Sequence, residues 1–333
     1  MENLNIALIG CGMIGREHIE RIQNRIRNAK VVAVCDVFEE GAKKGAEIAG
    51  AGTKIYTDFN EAINDPDVNA VVVTTPGQFH KGPVLAAIKA GKPVFSEKPL
   101  ANTAADGKEI VEAEMAGGKH LVQVGFMRRY DRGYRQVKEL IDSGVIGDVV
   151  HVTHTENVAY WHYAHSYVRG NWRRAEESSP MILAKSCHDM DIIRWLMGVP
   201  CESVSSYGSL DWFRAENAPD GSADRCLSGC ACKEGCPYDA EKIYIFNDKS
   251  GIRSGNDEWP CSVLVNKPTE EKLYDALRTG PYGRCVYRCD NDVVDHQVVS
   301  MRFAGGATAT FTMSAFTAKC YRSIKVMGTM GEI

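Results

Sequence analysis

No apolar run in the 333 residues reaches the roughly 18 positions that a membrane-spanning helix requires. The chain has no basic block, and its formal net charge of -4 does not favour a nucleic-acid partner. A strand pattern begins at Leu4, which leaves no room for a signal peptide. We therefore expect a cytoplasmic protein that binds neither membranes nor nucleic acids.

The composition that is present is typical of a globular protein, with 44% hydrophobic and 25% charged residues. A chain of this length exceeds one ordinary hydrophobic core, so two domains are expected. Alternating strand and helix patterns fill the first part of the chain and become weaker later. We place the domains at residues 1–124 and 125–333.

Three glycines in the order G-x-G-x-x-G follow the first predicted strand, residues 5–9. Gly10 permits a tight turn, Gly12 lets a diphosphate approach the backbone, and Gly15 lets the next helix pack on the strand. The N-terminus of that helix offers N–H groups to a phosphate. The motif predicts a dinucleotide site, and a plain tight turn is the alternative. Its residues are Gly10, Cys11, Gly12, Met13, Ile14 and Gly15.

An acidic residue ends the second predicted strand, residues 31–35. Asp36 lies about 20 residues past Gly15, where Rossmann folds place the group that binds the adenosine ribose hydroxyls. A carboxylate there repels a 2′-phosphate, so NAD is favoured over NADP. The alternative is that Asp36 caps a helix predicted at residues 39–49.

Further strands are predicted at 70–74, 93–96 and 120–124, and they alternate with helices at 79–90 and 103–115. This alternation predicts a doubly wound parallel sheet, an α/β Rossmann fold.

Lys98 follows the strand predicted at residues 93–96, at the sheet edge where ligands bind in such folds. A lysine there can bond a substrate hydroxyl or transfer a proton. The alternative is a solvent lysine paired with Glu97.

Four segments together resemble the Gfo/Idh/MocA (glucose–fructose oxidoreductase / inositol dehydrogenase) family: GCGMIG, TTPGQFH, AAIKAGKPVFSEKPLA and GFMRRYDRGYRQVKELIDSGVIGDVV. The resemblance implies a second, α+β domain with an open, mainly antiparallel sheet. It implies an NAD-dependent oxidoreductase that acts on a hydroxyl of a sugar, a sugar derivative or inositol, with Lys98 near substrate and nicotinamide. The cofactor-lining residues that it implies, apart from the glycine motif, are Thr74, Thr75, Pro76, His80, Glu97 and Lys98.

The resemblance also covers the helix predicted at residues 188–197. It implies that His188 acts with Lys98 as acid and base, and that Asp191 matches an acid three residues later that contacts substrate. The family usually has an aspartate four residues before this histidine, but here the position is Ala184, followed by Lys185. Either Lys185 joins an altered acid–base set, or the reaction differs from simple alcohol oxidation.

Aromatic and polar residues that could line a sugar site lie just before this helix. They are Trp172, Arg173 and a stretch, residues 160–165, that contains His162. Aromatic rings can stack on sugar C–H surfaces, and polar side chains can bond hydroxyls. Ordinary loop packing is the alternative.

Cysteines are concentrated in a turn-rich segment at about residues 213–290, which has the appearance of an insertion. We expect a structural zinc site formed by Cys226, Cys230, Cys236 and Cys289, because closely spaced thiolates need a cation. The spacing matches neither standard zinc motifs nor ferredoxin motifs, so an iron–sulfur cluster and unliganded thiols stay open.

The end of the chain reads as three strands, residues 295–303, 307–314 and 319–327, with a hairpin at Gly305-Gly306. An open sheet face in this domain favours a homodimer or homotetramer. Two other functions stay open at this point. One is an NAD-dependent glycoside-cleaving enzyme that uses transient oxidation and elimination, and the other is a non-enzymatic sensor or scaffold that binds NAD and metal.

Overall fold

The structure is a computed structural model that describes residues 3–333. The chain forms two compact units, one that ends at Met127 and one that spans Arg128–Ile333. The strands are β1 (Leu4–Ile9), β2 (Ala29–Cys35), β3 (Lys54–Tyr56), β4 (Ala70–Val73), β5 (Val94–Ser96), β6 (Val122–Val124), β7 (Val149–Ala159), β8 (Cys201–Ser209), β9 (His296–Phe303), β10 (Thr308–Thr317) and β11 (Tyr321–Gly328). The helices are α1 (Met13–Arg25), α2 (Glu39–Ala49), α3 (Phe59–Asn64), α4 (Lys81–Lys89), α5 (Ala104–Ala116), α6 (Arg132–Asp142), α7 (Tyr160–Tyr163), α8 (Met181–Ala184), α9 (Cys187–Met197), α10 (Ala240–Tyr244), α11 (Cys261–Leu264) and α12 (Glu270–Thr279).

The first unit contains one parallel sheet in the order β3-β2-β1-β4-β5-β6. Ile6 and Leu8 belong to one apolar cluster and Ala7 and Ile9 to another, because alternate side chains of β1 point to opposite faces. Apolar side chains therefore cover both faces of the sheet, which explains the uninterrupted apolar sequence of β4. The predicted doubly wound parallel sheet is confirmed. The strand order reverses between β1 and β4, the place where such sheets bind ligands.

The second unit contains a five-stranded sheet in the order β11-β7-β10-β9-β8. The β7–β10 pair is parallel, and the other three pairs are antiparallel. The mainly antiparallel sheet implied by the resemblance is confirmed. On β10, Phe311 and Met313 point into the core, whereas Thr308 and Thr312 face solvent. One face of this sheet is thus packed, and β8 leaves the apolar residues Val204 and Tyr207 exposed.

Short helices and irregular loops make up the cysteine-rich segment, as its weak periodicity predicts. Its apolar side chains nevertheless belong to the same core as the sheet of the second unit. Tyr244, Leu273 and Leu277 are fully buried there, beside Tyr163 and Phe311. The segment is therefore an integral part of the second unit and not an appended flap. In the part of the chain that the structure describes, no helix is long and apolar enough to cross a membrane.

Candidate active site

The glycine loop between β1 and α1 is shaped by backbone constraints. Gly10 has φ +98°, and a Cβ on it would lie 2.6 Å from the Thr75 nitrogen. A Cβ on Gly15 would lie 2.0 Å from the Gly10 carbonyl oxygen. Gly12 is different, because a Cβ there would meet no described atom within 4 Å. Packing within the chain thus requires glycine at positions 10 and 15 but not at 12, where approach of a diphosphate stays the prediction.

The N-terminus of α1 has the features of an anion site. Gly12 is its N-cap, no side chain caps this end, and the first turn contains no acidic residue. The partial positive charge of the helix end is therefore not neutralised locally. These features fit the diphosphate of a dinucleotide.

Asp36 lies directly after β2 and is only partly buried. Its carboxylate accepts hydrogen bonds from the backbone N–H of Cys11 at 2.8 Å and of Phe38 at 2.9 Å. Helix α2 begins later, with Phe38 at its N-cap position, so Asp36 does not act as that cap. The carboxylate instead links the end of β2 to the glycine loop, and its binding of ribose hydroxyls stays a prediction.

Thr74 and His80, both predicted to line a cofactor, support the loops at this edge. The Thr74 hydroxyl donates to the Gly10 carbonyl oxygen at 2.6 Å. The two ring nitrogens of the buried His80 lie 2.7 Å from the Pro99 oxygen and 2.8 Å from the Thr75 oxygen. Burial lowers the pKa of His80 below its usual value. His80 thus joins the segment after β4 to the segment after β5, with Pro76 between Thr75 and the following turn.

The Glu97-Lys98 segment follows β5 at the same edge, since Ile9 pairs with Val73 and Val73 with Ser96 at the ends of the neighbouring strands. Glu97 bonds the His18 ring at 2.9 Å and the backbone N–H of Lys98 at 3.3 Å.

Burial alone raises the pKa of Glu97, but the bonds from His18 and Lys98 outweigh it and lower that pKa. Lys98 is half-buried, and its peptide bond to Pro99 is cis.

A set of largely buried ionisable side chains in the second unit links β7, α9 and β11. The Arg322 Nε of β11 lies 2.6 Å from Glu156 Oε2 on β7 and 2.7 Å from Asp189 Oδ1 on α9. The His154 ring donates to Asp189 at 2.8 Å. Lys185, between α8 and α9, lies 3.5 Å from the other oxygen of Glu156. We call these five residues the charged cluster.

The two carboxyl groups of the charged cluster have pKa values shifted in opposite directions. Burial raises the pKa of Glu156, and the positive charges of Lys185 and Arg322 only partly offset this effect. Burial acts on Asp189 as well, but its hydrogen bonds from His154 and Arg322 prevail and lower its pKa. Carboxyl pairs with diverging pKa values are typical of sites that transfer protons.

An open cleft of about 640 Å³ lies beside the charged cluster, a volume in the range of small-molecule sites. Glu156, Lys185 and Arg322 line it together with Tyr134 and Cys320. Lys185 is therefore the predicted site residue that the structure places in this cleft. With Arg128, Asp131 and Tyr321 also in its wall, the cleft combines three cations, two carboxyls and two phenols, all able to bond hydroxyl groups.

The predicted substrate residues His188 and Asp191 lie on α9. His188 is partly buried in its first turn, next to Asp189. The Asp191 carboxylate pairs bidentately with Arg129, at 2.8 Å to Nε and 2.6 Å to Nη2. Both oxygens of Asp191 are thus engaged by a cation of the same unit.

Three other predicted substrate residues do not line the cleft. Arg173 forms a bidentate pair with Asp290, and Trp172 packs on Tyr167. His162 lies 3.3 Å from the Cys320 sulfur, and burial together with the Lys185 charge lowers its pKa to about 3. Trp172 and Arg173 thus have partners within their own unit, and His162 lies next to the cleft residue Cys320. Contact of these three residues with a sugar stays a prediction.

The predicted zinc site is not supported. In residues 3–333, no three His, Cys, Asp or Glu side chains are arranged to hold a single metal ion. Cys226, Cys230 and Cys236 do line one small cavity. Cys289 is not part of its wall, because its thiol is turned to the Cys285 carbonyl oxygen at 3.3 Å.

Sequence reasoning missed most of the charged cluster and His18. The spacing of His18 along α1 predicted only that it faces the sheet. In the structure it bonds Glu97 and packs on the Phe95 ring, with 5.6 Å between the ring centroids. One weak indication of Glu156 was present in the sequence, because an acidic residue stands at an inward-facing position of a strand whose side chains alternate between buried and exposed. Asp189 adjoins His188 in sequence, but its pairing with Arg322 joins residues too distant in the chain for any local pattern to indicate.

Comparison with known proteins is consistent with this geometry. Residues 4–126 match the Gfo/Idh/MocA family described as "Oxidoreductase family, NAD-binding Rossmann fold", and residues 138–333 match its "C-terminal alpha/beta domain". The inositol 2-dehydrogenase of Azotobacter vinelandii is 47% identical over 194 residues, 58% of this chain and 54% of that protein. That of Pseudomonas fluorescens is 43% identical over 204 residues, 61% of this chain and 57% of that protein. The chain thus spans a little over half the length of these relatives.

Solved structures agree over nearly the whole chain. The myo-inositol dehydrogenase from Lactobacillus casei, in complex with NAD(H) and myo-inositol, is 25% identical with a TM-score of 0.65, covering 99% of this chain and 73% of that one. The scyllo-inositol dehydrogenase from the same organism, with bound NAD(H) and scyllo-inositol, has a TM-score of 0.66 at 21% identity, covering 100% and 76% of the two chains, and supports the fold alone. With both domain models matched along its length, the chain belongs to the Gfo/Idh/MocA oxidoreductase family.

Proposed function

We propose that this protein is an NAD-dependent dehydrogenase that oxidises a hydroxyl group of inositol or a related sugar. The observation that carries the proposal is the edge of the parallel sheet, where the glycine loop, Thr74 and the Glu97-Lys98 segment follow three neighbouring strands. Family membership and the named inositol dehydrogenases support it.

The residues of this edge fit a dinucleotide. The backbone at Gly10, Gly12 and Gly15 and the N-terminus of α1 would hold the diphosphate, and Asp36 would bond the ribose hydroxyls. Asp36 would also disfavour the 2′-phosphate of NADP by charge repulsion. When bound, NAD supplies the acceptor for hydride from the substrate carbon.

Proton transfer is assigned to side chains of the protein. Lys98 and His188 keep the acid–base roles that the resemblance implies. Lys185 and Glu156 are proposed to compensate for Ala184, which stands where the family usually has an aspartate. Burial raises the pKa of Glu156, which favours its protonated form, and Lys185 lies 3.5 Å from it in the cleft wall.

Neither alternative from the sequence is favoured. The relatives are named as dehydrogenases, which does not favour redox-assisted glycoside cleavage or a non-enzymatic sensor. A cytoplasmic location is part of the proposal. So is a homodimer or homotetramer, which the exposed Val204 and Tyr207 on the sheet of the second unit support.

The test is a panel of inositols, aldoses and sugar acids, assayed with NAD and with NADP for formation of the reduced nucleotide. NAD reduction with an inositol or sugar, and weaker use of NADP, is the expected result. Calorimetry on the same folded protein measures nucleotide binding independently of turnover. NAD binding without turnover on any hydroxyl substrate would overturn the dehydrogenase assignment, and absence of NAD binding would overturn the site itself.

A further inference from the structure

Glu97 precedes Lys98 in the segment after β5, and each of its carboxylate oxygens has a bonding partner. Oε1 lies 2.9 Å from Nε2 of His18, a residue of α1, and Oε2 accepts the backbone N–H of Lys98 at 3.3 Å. The side chains of His18 and Glu97 are only 22% and 21% exposed, so solvent and salt weaken their bond little. The carboxylate is therefore held between α1 and the lysine.

The fold also fixes the position of the His18 ring. The ring packs on that of Phe95 in β5, with 5.6 Å between the ring centroids. A Cβ on Gly125, just after β6, would lie 3.3 Å from Glu97 Oε2 and 3.1 Å from Phe95 Cζ, so the chain passes close to both groups there. Helix α1, strand β5 and the chain after β6 thus enclose the bond between His18 and Glu97.

Glu97 supplies a negative charge next to Lys98. Burial raises the pKa of Glu97, but the bond from His18 and the nearby positive charges prevail and lower it, so the carboxylate is ionised at neutral pH. His80 faces the same segment from the chain after β4, and it is neutral at that pH because burial and the charge of Lys98 lower its pKa. The Glu97 carboxylate therefore acts on Lys98 without an opposing charge from His80.

The carboxylate creates a conflict for a lysine that must accept a proton. A carboxylate next to an ammonium stabilises the protonated lysine, whereas a proton acceptor must be available as the neutral amine. The bond to His18 reduces this conflict, because it places a donor on Oε1 and turns the carboxylate towards α1. Glu97 can then bond the backbone N–H of Lys98 while the imidazole takes up part of its charge.

We propose that His18 is a positioning residue, which acts through Glu97 to keep the Lys98 amine available for proton transfer. This role rests on the proposed acid–base function of Lys98, and His18 itself transfers no substrate proton. Without the imidazole, the Glu97 carboxylate would be free to pair with the Lys98 ammonium. The lysine would then hold its proton to higher pH, and less of the neutral amine would be present at neutral pH.

The first test does not depend on turnover. The full chain is treated briefly with acetic anhydride at a series of pH values, and mass spectrometry follows acetylation of Lys98, since only the neutral amine reacts. The pH of half-maximal reaction should rise by about 0.5–1 unit in His18→Leu, which has no donor for Glu97. His18→Gln, whose amide can still donate, should stay close to the unmodified protein. His120→Leu, which changes an exposed histidine just before β6, is the control and should have no effect.

Kinetics with NAD and the best substrate of the panel give the second test. His18→Leu should lower kcat by about tenfold at neutral pH, recover at higher pH, and leave KM within about twofold. Glu97→Gln removes the charge through which His18 acts. His18→Leu should therefore have little further effect when it is combined with Glu97→Gln, a non-additivity that a merely structural role would not produce.

Circular dichroism and NAD binding show whether each variant is folded. His18→Asn, whose amide is too short to reach Glu97, replaces His18→Leu if that variant is unstable. An unchanged reaction pH of Lys98 in the folded variant would overturn the proposal whether or not a substrate is found, and additive losses in the Glu97→Gln background would overturn it too. Failure of the unmodified protein to reduce NAD would instead overturn the proposed function, since the acetylation test still reports on His18.

Discussion

The two units position their polar groups by different means. In the first unit the backbone does most of this, through Gly10 and Gly15, where a Cβ would meet backbone atoms, and through helix and strand ends. In the second unit, ion pairs between side chains of β7, α9 and β11 form the charged cluster. A site built from backbone geometry constrains residue types locally, whereas a site built from ion pairs constrains combinations of distant residues. The predictions below test this difference, starting with the largest effect.

Asp189→Asn should have the largest effect, a loss of about 3–5 kcal/mol of unfolding free energy, because it removes the fully buried carboxylate that Arg322 and His154 both bond, and leaves Glu156 alone beside Arg322. Asp189 and its His154 partner are fully buried. Asp191→Asn, on the same helix, is the matched control, since its partner Arg129 is 41% exposed and the expected loss is about 1 kcal/mol. Urea denaturation of the three proteins measures both values. Equal losses would show that the charged cluster is no more important to stability than a partly exposed pair.

The same cluster predicts opposite pH effects for its two carboxyl groups. The pKa of Asp189 is lowered on folding, so its contribution to stability is present above the unfolded value of about 3.9 and is lost as pH falls through the folded value. The pKa of Glu156 is raised on folding, so stability falls as pH rises from the unfolded value of about 4.3 towards the folded one. Glu156→Gln should remove this decline, and Asp189→Asn the acid-side loss. Identical pH–stability curves for both variants would contradict the assigned directions.

Lys98→Ala tests whether the backbone-built edge also carries chemistry. Turnover should fall by about 10² or more, the scale of general acid–base catalysis, while NAD affinity stays within about twofold. Lys108→Ala, at an exposed position of α5, should change neither quantity. Steady-state kinetics and calorimetry give the two readouts. Unchanged turnover in Lys98→Ala would remove this residue from the reaction.

Gly15→Ala and Gly12→Ala separate packing from ligand approach in one motif. The Cβ of Gly15→Ala would collide with the Gly10 carbonyl oxygen, so a stability loss of about 1–3 kcal/mol is expected. Gly12→Ala meets no described atom within 4 Å, so it should unfold like the unmodified protein yet bind NAD more weakly. Thermal unfolding with and without NAD measures both effects. Normal NAD affinity in Gly12→Ala would mean that the diphosphate does not approach this residue.

The same difference explains what the sequence could predict. Gly10, Gly15 and Asp36 belong to a strand–turn–helix–strand pattern with short spacings. Their positions in the fold could therefore be predicted from the sequence. The charged cluster did not, because Arg322 and Glu156 meet through the β11–β7 pairing, far apart in the chain. The cysteines were an intermediate case. Their number predicted a metal site, but in residues 3–333 the fold does not bring three of them together around one ion, and only the fold shows which thiols face a common cavity.

Asp36→Asn should have the smallest effect, because we expect it to change the affinities for NAD and NADP and to leave the stability of the fold unchanged. The amide oxygen of asparagine can still accept a backbone N–H from Cys11 or Phe38, so the loop is expected to keep its shape. Loss of the charge should weaken NAD by about tenfold, the cost of a hydrogen bond to a charged group, and strengthen NADP relative to NAD. Calorimetric titration with both nucleotides measures the ratio. Because this change spares the backbone, an unaltered ratio would show that the end of β2 does not contact the ribose. A collapse of binding to both nucleotides would show that the carboxylate shapes the glycine loop itself.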